Sequence, residues 1–184
     1  MIKFFKQKST LIMFIIAMVI FAGAFLFTVI NPVSYIGSYH AEMELFGIES
    51  EMTYKFKFGN KVDCTEKGSY GGMNAEETQE QWYYRKGNRV VVMSSTDVMT
   101  EEMYDEAVEL YKKMSDEEFE AISSKISYGA MVYGYEGLDY EFENTWGSIV
   151  RGVVMILAGL ACAGTLVSIV FSTIGNKNKK KAKA

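Results

Sequence analysis

Two long apolar runs bracket the chain, and a period-two pattern of apolar and polar positions fills most of the space between them. From Leu11 to Ile30 the sequence reads LIMFIIAMVIFAGAFLFTVI, uncharged, with Thr28 as its polar side chain. From Gly152 to Ile174 it reads GVVMILAGLACAGTLVSIVFSTI, again uncharged. A helix rises about 1.5 Å per residue and a hydrocarbon core is roughly 30 Å thick, so either run spans one. A helix is also the form in which one segment satisfies its own backbone in lipid. The pattern predicts two transmembrane helices, residues 9–30 and 148–174, flanking an exported domain of residues 31–147. Lys3, Lys6 and Lys8 also resemble the basic start of a signal peptide. A cleaved signal, however, carries an apolar stretch of about 7–15 residues, and the small residues Ala22, Gly23 and Ala24 lie inside this run. An uncleaved anchor is therefore preferred over a cleaved signal.

Between the runs, Tyr39, Ala41, Met43 and Leu45 alternate with Ser38, His40, Glu42 and Glu44, and after a break at Phe46-Gly47, Met52, Tyr54, Phe56 and Phe58 alternate with Glu51, Thr53, Lys55 and Lys57. Such alternation predicts strands with one buried and one wet face. On the wet face Glu42 and Glu44 are expected near Lys55 and Lys57. A repeat follows: YKFKFGNKVDC (Tyr54–Cys64) and WYYRKGNRVVV (Trp82–Val92) both place Gly-Asn and a basic residue between strands. Gly-Asn supplies the positive φ that a hairpin turn needs. A three-residue loop, Gly59-Asn60-Lys61, would put Phe56 and Phe58 on the face of Val62 and Cys64; a two-residue loop would put Phe56 opposite Asp63. The bulged, longer turn is the expectation.

From Thr100 to Lys125 the period changes to that of a helix. Thr100 is placed to cap EEMYDEAVELYKKM, and Ser115 with Glu118 forms a capping box for DEEFEAISSK. Met103, Ala107, Leu110, Tyr111 and Met114 make an apolar stripe. Strand alternation returns at Tyr128–Tyr135 and at Leu138, Tyr140 and Phe142. The predicted fold is thus a membrane protein with two helices flanking an α+β domain. That domain is an antiparallel β-meander or partial barrel of about seven strands, with a two-helix insertion before the last two.

Charge gives this arrangement an orientation. All 23 acidic residues fall between Glu42 and Glu143, where ten basic residues leave a net charge of −13; the remaining nine basic residues lie outside that stretch. Lys3, Lys6 and Lys8 precede the first run, and Lys177, Lys179, Lys180, Lys181 and Lys183 follow the second. Positive flanks stay cytoplasmic, so residues 1–8 and the tail 175–184 face in and the domain faces out. The lysines also favour anionic lipid. Cys64 and Cys162 are not able to pair in this topology, and the domain has no N-x-[ST] sequon, which together fit a bacterial plasma membrane.

Gly37-Ser38-Tyr39 followed by strand–Gly-Asn–strand units resembles the small lipocalin-like β-meander domains of bacterial surface proteins, over residues 37–95. The resemblance implies a sheet or partial barrel with a pocket or an exposed edge, and no particular binding residues. The helical insertion and the second membrane helix depart from it.

Signatures of catalysis are missing. The single histidine, His40, falls on the polar face of the first strand, which suits a solvated side chain better than a metal ligand or a catalytic base. Cys64 falls on the inward face as a small buried thiol. Phosphate loops, zinc spacings and calcium loops are absent from the sequence, and the 12 methionines are scattered, against copper capture. No cofactor or metal is expected. The acidic excess reads first as a solvated face and second as a docking surface for a basic partner; its candidates are Glu101, Glu102, Asp105, Glu106, Glu109, Asp116 and Glu117. Nucleic acid is excluded as a partner by the sign of the charge. Gly159, Ala163, Gly164, Ser168 and Ser172 provide small-residue spacing for helix packing, against the first helix or a larger partner in the bilayer. Without intramembrane ionisable groups a transporter acting alone is disfavoured. The expected function is a non-enzymatic, membrane-anchored accessory subunit contacting another membrane or envelope protein; the alternative is a small-ligand sensor with a pocket in the sheet.

Overall fold

The computed structural model describes residues 2–45, 48–70, 72–127, 129–135 and 138–181. The Phe46-Gly47 break, Tyr128, the side chain of Ser172 and Lys183 lie outside the described residues. Residues 30–150 form one compact unit, and the helical segments before and after them form a second.

Within residues 30–150, eight strands run in sequence order around a closed antiparallel barrel: β1 (Tyr39–Leu45), β2 (Ile48–Phe56), β3 (Lys61–Tyr70), β4 (Met73–Lys86), β5 (Arg89–Ser95), β6 (Ser124–Ser127), β7 (Ala130–Tyr135) and β8 (Leu138–Glu143). The meander is therefore one strand longer than its pattern predicts, and closed rather than partial. The extra strand is β6. Ser124 and Lys125 read as the end of a helix, but the helix α3 (Asp116–Ile122) stops at an extended Ser123, after which exposed Lys125 and buried Ile126 alternate. Helix α2 (Glu101–Lys113) and α3 occupy the β5–β6 connection. Antiparallel order places the β1–β2, β3–β4 and β7–β8 turns at one end of the barrel. The strand starts and ends at Tyr39 and Glu143, paired through His40↔Glu143, lie at the other.

The inward rows of the strands meet in a core of Val33, Tyr39, Phe56, Val62, Tyr83, Val90, Ile126, Met131 and Phe142. Phe56 stands edge-on to both Tyr39 (5.4 Å) and Tyr83 (4.9 Å), the geometry the ring quadrupoles favour. Pairing of Phe56 with Val62 confirms a three-residue loop, but one position earlier than expected: Phe58, Gly59 and Asn60 span it, with Gly59 and Asn60 at positive φ. Phe58 accordingly leaves the inward face, is 80% exposed, and stacks on Tyr35 at 4.4 Å. The second Gly-Asn closes a two-residue turn between Lys86 and Arg89, with positive φ at Gly87 alone, as a type II′ hairpin requires.

Both caps form as read. The Thr100 side chain accepts from the Met103 N–H, and Ser115 and Glu118 complete the capping box. The buried face of α2 is rotated from the expected stripe. Tyr104 is buried, while Met103 and Leu110 are exposed, because β4 presents Trp82 and Tyr84 on its outer side. Trp82 stacks on Tyr104 at 4.7 Å, and Tyr84 meets Tyr111 and Phe119.

Asn144 joins the last strand to helix α4 (Thr145–Lys181). It is 2% exposed; its Oδ1 accepts from the Gly147 N–H at 2.7 Å, and its Nδ2 donates to the Ile36 carbonyl at 3.0 Å. Gly129, at positive φ, and Gly147 approach this side so closely that an added Cβ would collide with Ser148 Oγ and Ser34 Oγ respectively.

Helix α4 carries a stretch, Thr145–Phe171, long and apolar enough to cross a membrane. Helix α1 (Ile2–Ile30) carries the shorter apolar stretch Leu11–Phe27, so among the described residues one such helix is found where two were expected. On α1, buried Ala17 with half-buried Phe14, Phe21 and Ala24 marks one helical face. Ala158 and Cys162, with half-buried Met155, Gly159, Thr165 and Ile169, mark one on α4.

Candidate interaction surface

The outer face of β1–β4 follows from the strand register. The pair Leu45↔Ile48 sets β1 against β2 so that Glu42 faces Glu51 and Glu44 faces Glu49. The expected neighbours Lys55 and Lys57 lie further along: Lys55 faces Asp63. The same registers extend the two rows across the sheet, as Glu42–Glu51–Lys67–Glu76 and Glu44–Glu49–Ser69–Asn74. Between them runs the row Met43–Ser50–Gly68–Ala75, which alternation turns to the inner side of the sheet, and residues of all three rows line an open groove of about 910 Å³. Directly opposed side chains on a sheet have their Cβ atoms about 4.5–5.5 Å apart, so like charges there oppose folding. Lys67 is the one basic residue lining the groove, 4.0 Å from Glu51 and 3.9 Å from Glu76. Five carboxylates against one ammonium leave four negative charges without a partner in the groove lining.

Toward the other end of the same face the charges balance. Lys57 lies 2.6 Å from Asp63 and 3.0 Å from Glu80, and Lys61 lies 3.1 Å from Glu80. The hydrogen bonds from Lys57 and then Lys61 hold the Glu80 carboxyl below the usual carboxylate range, and those to Asp63 and then Glu80 push Lys57 up. Between the two zones, His40 Nδ1 is 3.1 Å from Thr53 Oγ1 and 3.8 Å from Glu51 on an exposed surface. The excess charge is thus a local property of the groove.

The seven acidic candidates on α2 and α3 are all exposed. Glu109 pairs with Lys112 and Asp116 with Lys86, each at 2.7 Å, which holds both carboxyls low. Glu101 and Glu102 occupy the first turn of α2, where the helix dipole favours them. Glu101, Glu102, Asp105 and Glu106 gather on α2, and Asp116 and Glu117 on α3. On α4 the small residues separate: Gly159 has the Phe21 ring of α1 as its nearest neighbour, whereas Ala163, Gly164 and Ser168 are exposed.

Inside the barrel, Tyr54 is pushed far above its ordinary range by burial and then by neighbouring Cys64; burial likewise raises the Cys64 thiol. A thiol held protonated is a poor nucleophile. Among the described residues no three His, Cys, Asp or Glu side chains converge as a metal site.

The closure of the barrel is uneven. β1 pairs with β2 along its whole length, whereas its pairing with β8 is confined, among the described residues, to His40↔Glu143. Beyond that point, among the described residues, no further pair joins β1 from Ala41 to Leu45 with β8 from Phe142 back to Leu138, which leaves a seam in the hydrogen bonding of the barrel. The sequence signal for it is the acidic character of both outward rows, Glu42 and Glu44 on one strand and Glu141 and Glu143 on the other. No protein-family model, curated protein or solved structure matches this chain.

Proposed function

We propose that this chain is a non-enzymatic, membrane-anchored binding protein, an accessory subunit of a bacterial plasma-membrane or envelope complex. In this reading α1 and α4 both span the bilayer, both termini are cytoplasmic, and residues 31–147 lie outside. The apolar stretch of α4 and the lysines flanking both helices support the topology. The observation that carries the binding role is the outer face of β1–β4. There, glutamates stand opposite glutamates in a groove, although the same sheet neutralises its charges elsewhere. A local rule broken without compensation is the usual mark of a site kept for something other than folding.

The test is crosslinking in intact membranes, with photoreactive residues at Glu44, Glu49 and Glu106. A reproducible membrane-protein partner, lost when Glu42, Glu44, Glu49 and Glu51 are changed to Gln, is the expected outcome. Crosslinks only to the chain itself would refute it. The second reading, a small-ligand sensor, is favoured by the Asn144 contacts, which tie the barrel wall to the first turn of α4.

A further inference from the structure

We infer that the β1–β8 seam is a docking slot for one extended cationic segment of a partner protein, which adds as a strand along the Ala41–Leu45 edge of β1. The inference rests on the accessory-subunit reading and names how that partner binds. An unpaired strand edge presents a row of backbone donors and acceptors, and such an edge is a ready template for another strand. Five residues of β1 at about 3.4 Å each offer roughly 17 Å of it.

The register explains why the barrel leaves this edge open. Continuing the antiparallel pairing from His40↔Glu143 would set Glu42 against Glu141. Like charges directly opposed destabilise a strand pair, so the two edges resist zipping. A strand carrying Lys or Arg between them removes that repulsion from both sides at once. Side-chain alternation fixes the rest of the occupant. Half-buried Ala41 and Met43 line the inner side of β1, while exposed Glu42 and Glu44 line the outer side together with exposed Glu141 and Glu143 of β8. The segment that fits alternates apolar and basic residues. Its basic residues emerge beside the acidic groove, of which Glu42, Met43 and Glu44 also form part.

The experiment uses the full chain in detergent micelles and a fluorescent peptide of alternating lysine and valine. Saturable one-to-one binding is expected, weakened at least about tenfold when alternate backbone amides of the peptide are N-methylated. A Glu42→Cys/Glu141→Cys pair, in a background with Cys64 and Cys162 changed to Ala, staples the seam; binding is lost on oxidation and returns on reduction. Equal binding of the N-methylated peptide would reduce the effect to charge attraction and overturn the inference. So would unchanged binding to the stapled chain, equal binding of a glutamate–valine peptide, or crosslinks joining β1 of two copies in place of peptide. In membranes the two readings separate. A partner captured equally by stapled and reduced chains removes the seam and leaves the accessory role. Seam-dependent peptide binding with no membrane partner does the reverse.

Discussion

Replacing Asn144 with Ala tests the junction that orders the end of the barrel. Asn144 is 2% exposed and makes two side-chain bonds of opposite sense: it accepts from the Gly147 N–H at 2.7 Å and donates to the Ile36 carbonyl at 3.0 Å. The first is an N-cap bond to α4, worth about 1 kcal/mol when an Asn cap is removed. The second leaves a carbonyl without its donor, and an unsatisfied buried group costs about 1–3 kcal/mol. Together the substitution is expected to cost about 2–4 kcal/mol. For a domain of this size 1 kcal/mol is roughly 3–6 °C, so the barrel transition should drop by roughly 6–24 °C. Near-ultraviolet circular dichroism of the full chain in detergent follows it, through the aromatic core. Asn144→Asp keeps the acceptor, loses the donor to Ile36 and buries a charge; at pH 7 it should be at least as damaging, and it should recover on acidification as the carboxyl regains a proton to donate. A drop below roughly 3 °C for Asn144→Ala would refute the reasoning, because both bonds would then be dispensable.

Two further substitutions separate the charge network from the inner row of the sheet. Glu80 has a folded pKa below its unfolded one, so the stability it adds is complete above the ordinary carboxylate range and drains as pH falls through the depressed value. The difference in melting temperature between the natural chain and Glu80→Gln should therefore be present at pH 7, begin to shrink as pH enters the ordinary carboxylate range, and vanish only below the depressed folded value. Among the described residues Ser50 Oγ is shielded from solvent with no hydrogen-bond partner, so Ser50→Ala should raise stability by about 1 kcal/mol in denaturant titration. A loss of stability would show that the hydroxyl is bonded.

How far the sequence discloses this fold depends on which interaction decides each element. Period-two alternation from Tyr39 to Glu44, the Thr100 cap and the Ser115–Glu118 capping box depend on residues a few positions apart, and all three appear in the structure. Phe58 depends on where a loop begins, and a shift of one position takes its ring from the core to the Tyr35 stack. The stripe on α2 depends on what β4 offers it. Val108 and Leu110 are similar as residues, yet Trp82 and Tyr84 draw the Tyr104–Tyr111 side inward and leave Leu110 exposed. β6 depends on both, because Lys125–Ile126 becomes a strand only where β5 and β7 are present to receive it.

The acidic surfaces show the same limit in a form that bears on function. By composition, the densest acidic stretch is on α2 and α3, but Glu109, Asp116, Glu118 and Glu120 there meet Lys112, Lys86, the Ser115 N–H and Arg89. The glutamates of β1 and β2 are sparser in sequence and alternate innocuously with apolar residues. Only the hairpin register sets Glu42 on Glu51 and Glu44 on Glu49, and only closure of the barrel brings Glu141 toward the same edge. Charges on an exposed edge also protect it from pairing with copies of itself, since identical acidic strands repel. That protection and the capture of a cationic strand are the same property viewed from two partners. A seam that rejects its own kind by charge is open, for the same reason, to a strand of opposite charge.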